Sequence, residues 1–315
     1  MWQIWIDTGG TFTDCLALSP AGELKRTKVL SSSFLRGRIT KKTTPTTFQI
    51  TTAWAFDTEL VKGFSFRMVG QNEFTKIADV HGNALILARD LYSSDGSKPS
   101  DEYSEEIDFE ITTHEEAPVL ATRIVTKTPL SAAFPPLSMR LGTTKGTNAL
   151  LERKGAKVTL FGTKGFKDLL RIGTQQRPNL FQLAIPEPTL LYNEVVEVEE
   201  RLDASGQTLQ SLDLIKINAT QPKDNSIAIS LLHSYLNLVH EQELQHYFQE
   251  QGYEYISSSA ELYAGINYLK RTQTALVNAY LQPILSDYLN NITRSFTTPP
   301  RGEIVKVMTS AGGLV

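Results

Sequence analysis

At 315 residues the chain is long enough for about two domains with cores of their own. A hydrophobic share of 41% and a charged share of 21% describe an ordinary globular protein, and a net charge of −3 leaves no electrostatic footprint for nucleic acid. Cys15 is the single cysteine, which excludes a disulfide framework and a thiolate zinc site.

The first element is the apolar run Trp2 to Ile6, and a second apolar-rich strand follows from Phe12 to Leu18. Between them lies Ile6-Asp7-Thr8-Gly9-Gly10-Thr11-Phe12-Thr13-Asp14, the most informative stretch of the chain. Gly9 and Gly10 can take positive φ without steric cost, so successive backbone N–H groups can converge on a polyphosphate. The hydroxyls of Thr8, Thr11 and Thr13 are expected to join that cradle. Asp7, at the strand end, is placed to hold Mg²⁺ through water, as a small ion that keeps its hydration requires. Asp14 would orient the attacking group or a second water. The competing reading is a plain glycine hairpin with strand threonines and Asp14 as a turn cap. A dinucleotide fingerprint fits less well because a strand, not a helix, follows, and a Walker loop is excluded for want of Gly-Lys-Ser/Thr.

Strand Leu24 to Leu30, after a Ser19-Pro20-Ala21-Gly22 turn, completes a three-stranded meander. From about Phe34 to Pro118 the pattern alternates with polar turns such as Ser93 to Ser97, and reads as a small all-β insertion with the acidic Asp101 to Glu110 on its surface. Arg36, Arg38, Lys41 and Lys42 read as a solvated loop, and Cys15 as a small buried hydrophobe.

A strand at Leu137 to Leu141 then runs into Gly142 to Asn148, followed by a short helix from Ala149 with Thr147 as its N-cap and Gly155 as its stop. Val158 to Gly162 is a further strand, and strands alternating with helices imply parallel pairing. A polar loop from Gly173 to Pro188 crowds Arg171, Gln175, Gln176 and Arg177. Ile227 to Leu232 is a buried strand, His240 to Gln251 a helix and Tyr253 to Ser257 a strand. The longest helical pattern spans Asn267 to Phe296, with Pro283 expected to kink or split it. Ile304 to Met308 is the last strand, before a turn at Ser310 to Gly313. No signal peptide and no bilayer-length apolar run is read, so a cytoplasmic protein is expected, with chance sequons at Asn218 and Asn291.

Five ordered blocks now resemble a known family: IDTGGTFTD, GTTKGTNALLERKGAKV, IGTQQRPNLF, RTQTALVNAYLQP and MTSAGGLV. Together they resemble the A component of the hydantoinase/5-oxoprolinase family. The resemblance implies an α/β, ribonuclease-H-like domain of the actin-like ATPase type, with the small all-β insertion and the start of a second α/β domain. The implied boundaries are 1–33 with 119–252 for the N-terminal ATPase domain, 34–118 for the insertion, and 253–315 for the start of the core domain.

It further implies ATP and Mg²⁺ as cofactors, and opening of a cyclic amide, 5-oxoproline or a hydantoin, through phosphorylation of the amide oxygen. Asp7, Thr11 and Asp14 would be catalytic, Thr8 to Thr13 would hold the β- and γ-phosphates, and Asp7 would hold the metal through water. Thr143, Thr144 and Asn148, at a strand-to-helix turn, are expected to face the cleft and touch substrate or the transferring phosphate, with plain helix capping as the alternative. Arg271 in the long helix would point into the cleft to neutralise phosphate or a substrate carboxylate, against a default reading as an exposed helix arginine. A B-type component, fused or separate, is the implied protein partner; neither nucleic acid nor membrane is expected, and the oligomeric state, a homo-oligomer included, stays open. The family's second phosphate loop lies past position 315, so the isolated chain is expected to be inactive. His240-Glu241 matches the family's His-Glu pair, although Val239 stands where proline is expected, and reads as a helix-start cap and dipole partner. The alternatives are a small-molecule kinase of the same superfamily and a non-catalytic module.

Overall fold

Strand alternation decides which face of the first sheet is buried. In β1 (Trp2–Thr8) Ile4, Ile6 and Thr8 point inward, and in β2 (Phe12–Leu18) Thr13, Cys15 and Ala17 do the same. β3 (Leu24–Leu30) follows through a turn in which Gly22 takes φ 83° and donates to the Ser19 carbonyl. The computed structural model describes residues 1–54, 58–90, 107–176, 179, 181–183, 187–218, 226–296, 304–309 and 312–315. The Ser93–Ser97 turn, the 101–106 part of the acidic segment, Arg177, and Ser310 with Ala311 lie outside them.

A closed barrel comes next, built from β4 (Leu35–Thr44), β5 (Thr47–Thr52), β6 (Ser65–Met68), β7 (Thr75–His81), β8 (Ala84–Leu87) and β9 (Ile107–Thr112), with one short helix, α1 (Thr58–Val61). Phe48, Phe66 and Phe109 stack in its core. The basic group expected in a loop lies on β4 instead. Arg36 and Arg67 clasp Glu110 at 2.7–3.0 Å, and Arg38 pairs with Asp108. Glu110 is therefore 4% exposed rather than a surface acid. Burial pushes its carboxyl up, and the two guanidinium groups outweigh that and hold it below the usual range.

After α2 (Ala117–Thr126), whose apolar face packs on β2 and β3, the chain enters β10 (Leu137–Thr143) and α3 (Lys145–Leu151). β10 pairs in parallel with β1, and the sheet order is β17-β10-β1-β2-β3, where β17 is Val305–Val307. A second sheet, wholly parallel in the order β12-β11-β15-β16, consists of β11 (Val158–Thr163), β12 (Glu194–Val198), β15 (Ser226–Ser230) and β16 (Tyr255–Ser258). A small hairpin pairs β13 (Arg201–Leu202) with β14 (Thr208–Gln210). The remaining helices are α4 (Leu169–Ile172), α5 (Leu214–Asn218), α6 (Val239–Glu250), α7 (Ser259–Leu262) and α8 (Tyr268–Arg294).

The contacts divide this mixed α/β chain into two compact units, residues 1–148 with 288–315 and residues 149–287. α8 supplies Tyr288 and Ile292 to the core of the first and Ala275, Leu276, Ala279 and Tyr280 to the core of the second. Pro283 does not split α8, which runs unbroken for 27 residues. Proline removes the N–H that would bond the Ala279 carbonyl one turn earlier. The Ser226 hydroxyl takes that carbonyl at 2.5 Å, and the Ala156 N–H takes the neighbouring Tyr280 carbonyl at 2.9 Å. Among the described residues no helix is long and apolar enough to cross a membrane.

Candidate functional site

The glycine loop joins β1 to β2 as a tight hairpin, closed by the Gly9 N–H donating to the Phe12 carbonyl at 3.0 Å. Neither Gly9 nor Gly10 uses the left-handed region, contrary to expectation. Their value is space: a Cβ on Gly9 would stand 3.2 Å from the Phe12 carbonyl oxygen and one on Gly10 3.4 Å from the Asn148 side-chain nitrogen. The backbone N–H groups of Gly10 and Thr11 have no partner among the described residues, and both residues are exposed. Two free donors at a bare tip can receive an anion.

The threonines divide. Alternation carries Thr8 and Thr13 onto the core face, 6% and 0% exposed, and only Thr11 stays in the open. Thr8 Oγ1 accepts the Tyr288 hydroxyl at 3.4 Å, and Thr13 shares a hydrogen bond with Ser31 at 3.0 Å. Those two hydroxyls tie down the hairpin and are not part of an open cradle. Ser31 also donates to the Gly9 carbonyl at 2.8 Å.

Asp7 and Asp14 are direct cross-strand partners, so their carboxylates share the exposed face. The same register extends the row to Lys28 on one side and Gly142 on the other. Lys28 holds Asp14 at 3.0 Å and Arg26 touches it at 3.4 Å. The Lys28 hydrogen bond chiefly, with the Arg26 one, keeps the Asp14 carboxyl below its ordinary value despite some burial. Beside Asp7 the row ends in a residue without a side chain: a Cβ on Gly142 would lie 3.7 Å from Asp7 Oδ1. Among the described residues no three His, Cys, Asp or Glu side chains gather to hold a metal alone. One exposed carboxylate beside free amides suits Mg²⁺ carried on a polyphosphate and mostly hydrated.

The β10–α3 turn comes to the same place. Thr144 donates to the Thr8 carbonyl through both its N–H, at 2.9 Å, and its hydroxyl, at 3.2 Å. Asn148 donates to Thr144 Oγ1 at 3.2 Å. α3 begins at Lys145, four residues earlier than expected, because Thr143 Oγ1 caps the Lys145 N–H at 3.1 Å. Thr147 is thus inside the helix rather than its cap. Thr143, Thr144 and Asn148 therefore stand beside Thr8 and Gly10 while serving as cap and brace.

Arg271 is a core residue rather than an exposed helix arginine. It belongs to the second unit, is 0% exposed, and donates to Ser259 Oγ and to the carbonyls of Gly265 and Leu231. Desolvation lowers its pKa, opposed by the charge of Glu241. Each of its three nitrogens donates to a protein acceptor. His240 and Glu241 are likewise buried; they stand in the first turn of α6, as a dipole partner would, but neither side chain caps that helix. His240 Nδ1 meets Glu200 at 2.7 Å, and the other Glu200 oxygen takes the Thr163 hydroxyl. Arg171, Gln175 and Gln176 line a cavity of about 1040 Å³ in the second unit with Lys270 and Gln273. Sequence reasoning missed Ser31, Lys28, Lys145 and Tyr288. The run Ser31-Ser32-Ser33 straight after a strand was the one local signal available.

The profile of the hydantoinase/oxoprolinase N-terminal region matches residues 3–48 and 105–252, more than half of the chain, and the hydantoinase/oxoprolinase profile matches residues 271–315. A 5-oxoprolinase of Dictyostelium discoideum is 38% identical over 207 residues, which cover 56% of this chain and 16% of that protein. 5-Oxoprolinase 1 of Arabidopsis thaliana is 36% identical over 200 residues with the same coverage. The ATP-dependent caprolactamase of Pseudomonas jessenii shares the fold, with a TM-score of 0.55 at 21% identity over 99% of this chain and 36% of that one. The chain thus spans about a sixth of the length of these 5-oxoprolinases. On these matches the chain belongs to the hydantoinase/oxoprolinase family.

Proposed function

We propose that the chain is the N-terminal portion of an ATP-dependent amidohydrolase that opens 5-oxoproline or a hydantoin, with a B-type component as its partner. On this reading 1–33 with 119–252 form a ribonuclease-H-like domain of the actin-like ATPase type, 34–118 an insertion, and 253–315 the start of the core domain. The observation that carries it is the hairpin tip: free N–H groups at Gly10 and Thr11 stand exposed in a loop bounded by the Asp7 and Asp14 carboxylates.

When bound, ATP with Mg²⁺ would supply a phosphoryl group to the amide oxygen, which makes a resonance-stabilised carbonyl open to water. The chain's own part is positioning and charge. Gly10 and Thr11 donate to phosphate oxygens, and the Thr11 hydroxyl adds a third donor. Asp7 holds the hydrated metal. Asp14, kept ionised by Lys28, orients water on the same face. Thr8, Thr13, Thr144 and Asn148 keep the loop in place through the bonds described.

The test is ATP turnover with 5-oxoproline by the protein carrying this chain, the rest of the family sequence and the B-type component. Equal amounts of phosphate and glutamate, falling roughly a hundredfold in Asp7→Asn, are expected. A phosphorylated product without glutamate would replace the reading with a kinase, and turnover unaffected by Asp7→Asn would remove this loop from the chemistry.

A further inference from the structure

A second cavity, of about 570 Å³, lies wholly within the first unit. Its lining includes Ser31, Ser32, Ser33, His114, Glu116 and Lys145. Three observations set it apart from a surface dent. The Ser33 hydroxyl is a buried polar atom with no hydrogen-bond partner, on a residue 7% exposed. Such a group loses water without compensation unless something else bonds it. Ser33 and His114 both hold the left-handed region, φ 63° each, a strained choice for residues with side chains. Finally, Lys145 forms no ion pair among the described residues, its ammonium lying 5.2 Å over the Tyr288 ring.

The charges around the cavity fix what it can take. Glu115 is neutralised by Arg123 at 2.6 and 2.7 Å. Glu116 accepts from Asn291 at 3.4 Å through one oxygen, which leaves the other as an acceptor. His114 Nε2 is engaged with Ser65 Oγ at 2.8 Å. Besides the exposed Ser32 hydroxyl, one unpaired ammonium, one buried orphan hydroxyl and one carboxylate oxygen remain, which suit a ligand with a carboxylate, a carbonyl and an N–H. The wall is also tied to the glycine loop. Ser31 bonds the Gly9 carbonyl and Thr13 through its hydroxyl and the Thr11 carbonyl through its N–H.

We propose that this cavity binds a small carboxylate-bearing amide, with Lys145 taking the carboxylate, the Ser33 hydroxyl the amide carbonyl and Glu116 the amide N–H. This rests on the reading above, in which that molecule is the phosphoryl acceptor held beside the loop.

The test is titration of the 315-residue chain with 5-oxoproline by ligand-observed NMR, with 2-pyrrolidinone, which lacks the carboxylate, as the second probe. 5-Oxoproline should bind at least tenfold more tightly than 2-pyrrolidinone. Lys145→Gln should weaken it roughly ten- to a hundredfold, the loss of one hydrogen bond to a charged group, and Lys145→Arg should recover most of that. Ser33→Gly should also weaken binding, while leaving the melting temperature unchanged or higher because glycine relieves the φ of 63°. No binding by the parent chain, or equal affinity in parent, Lys145→Gln and Ser33→Gly, overturns the site. Glutamate formation by the assembled enzyme with an unchanged KM in Lys145→Gln removes the site and leaves the proposed activity. Binding that these variants abolish, without turnover, does the reverse.

Discussion

Glu241→Gln is the sharpest test of whether the His240-Glu241 pair is structural. Glu241 is 0% exposed and accepts four hydrogen bonds, two on each oxygen. Oε1 takes the Leu231 N–H at 2.8 Å and Ser259 Oγ at 2.6 Å, while Oε2 takes the Ala260 N–H at 3.0 Å and Ser258 Oγ at 2.7 Å. Glutamine turns one oxygen into an NH₂ group. A serine hydroxyl can rotate to accept from it, but a backbone N–H cannot, and each oxygen faces one. Whichever way the amide is turned, one buried N–H loses its partner and meets another donor. A lost bond to a charged group and an orphaned buried donor together cost roughly 3–5 kcal/mol, and Arg271 loses a nearby counter-charge besides. For a unit of this size the melting transition should fall by roughly 10 °C, read by calorimetry or circular dichroism. A Glu241→Gln chain melting within about 2 °C of the parent would refute the reasoning. It would then turn attention to a ligand role for the pair.

The other expectations are briefer. Gly155→Ala would set a Cβ 1.9–2.1 Å from the Tyr280 ring, a residue only 6% exposed, so ring or backbone must shift. It should cost about 1–3 kcal/mol or more in urea unfolding, and combining it with Tyr280→Leu should cost less than the sum of the two singles; additive losses would sink the explanation. Cys15 is 1% exposed and burial pushes its thiol up to about 12. Iodoacetamide at pH 8 should therefore leave it unmodified in the folded chain and label it in denaturant, and rapid native labelling would contradict its place in the core. Lys28→Met should move the Asp14 titration, followed by carboxyl NMR, up toward its ordinary value. Because the folded value is depressed, the pairing stabilises above the unfolded value and is lost as pH falls through the folded one, so any stability difference between parent and variant belongs to neutral pH and vanishes in acid. A titration that does not move would show that Lys28 does not hold the carboxylate.

What the sequence revealed is what local patterning controls. The hairpin, the meander, the all-β texture of the barrel and three of the four parallel strands of the second sheet follow from local patterning, and the positions of β1, β2, β3, β11 and β15 are readable within a residue or two, while β12 was not read. Even the inward turn of Thr8 was present in the pattern, since it keeps step with Ile4 and Ile6. The misreadings share another cause. Arg271 is buried because carbonyls of Leu231 and Gly265 and the hydroxyl of Ser259 come to it from other segments. Pro283 fails to break α8 because Ser226, far upstream in the chain, satisfies the carbonyl it orphans. Propensity rules price a residue in water or in an isolated helix, and each of these residues found a partner that no local window contains.

The hairpin tip shows the same dependence, and it separates two kinds of glycine. A phosphate cradle made by left-handed glycines would be set by local backbone preference, and any side chain at Gly10 would strain it. Here the tip is instead held from outside, by Ser31 on the Gly9 carbonyl, Thr144 on the Thr8 carbonyl and Tyr288 on the Thr8 hydroxyl. Gly10 has ordinary φ, and a Cβ there meets only the Asn148 amide at 3.4 Å, the end of a side chain that can give slightly. Gly10→Ala should accordingly change stability by less than about 1 kcal/mol, in contrast to Gly155→Ala. Its methyl group would stand beside the free N–H groups of Gly10 and Thr11, so binding of tripolyphosphate, measured by calorimetry at low salt, should weaken severalfold. Loss of stability as large as that of Gly155→Ala would mean that the backbone of the tip is strained after all. Unchanged tripolyphosphate affinity would mean that the anion does not sit on those two donors, and the phosphate site would have to be sought elsewhere in the first unit.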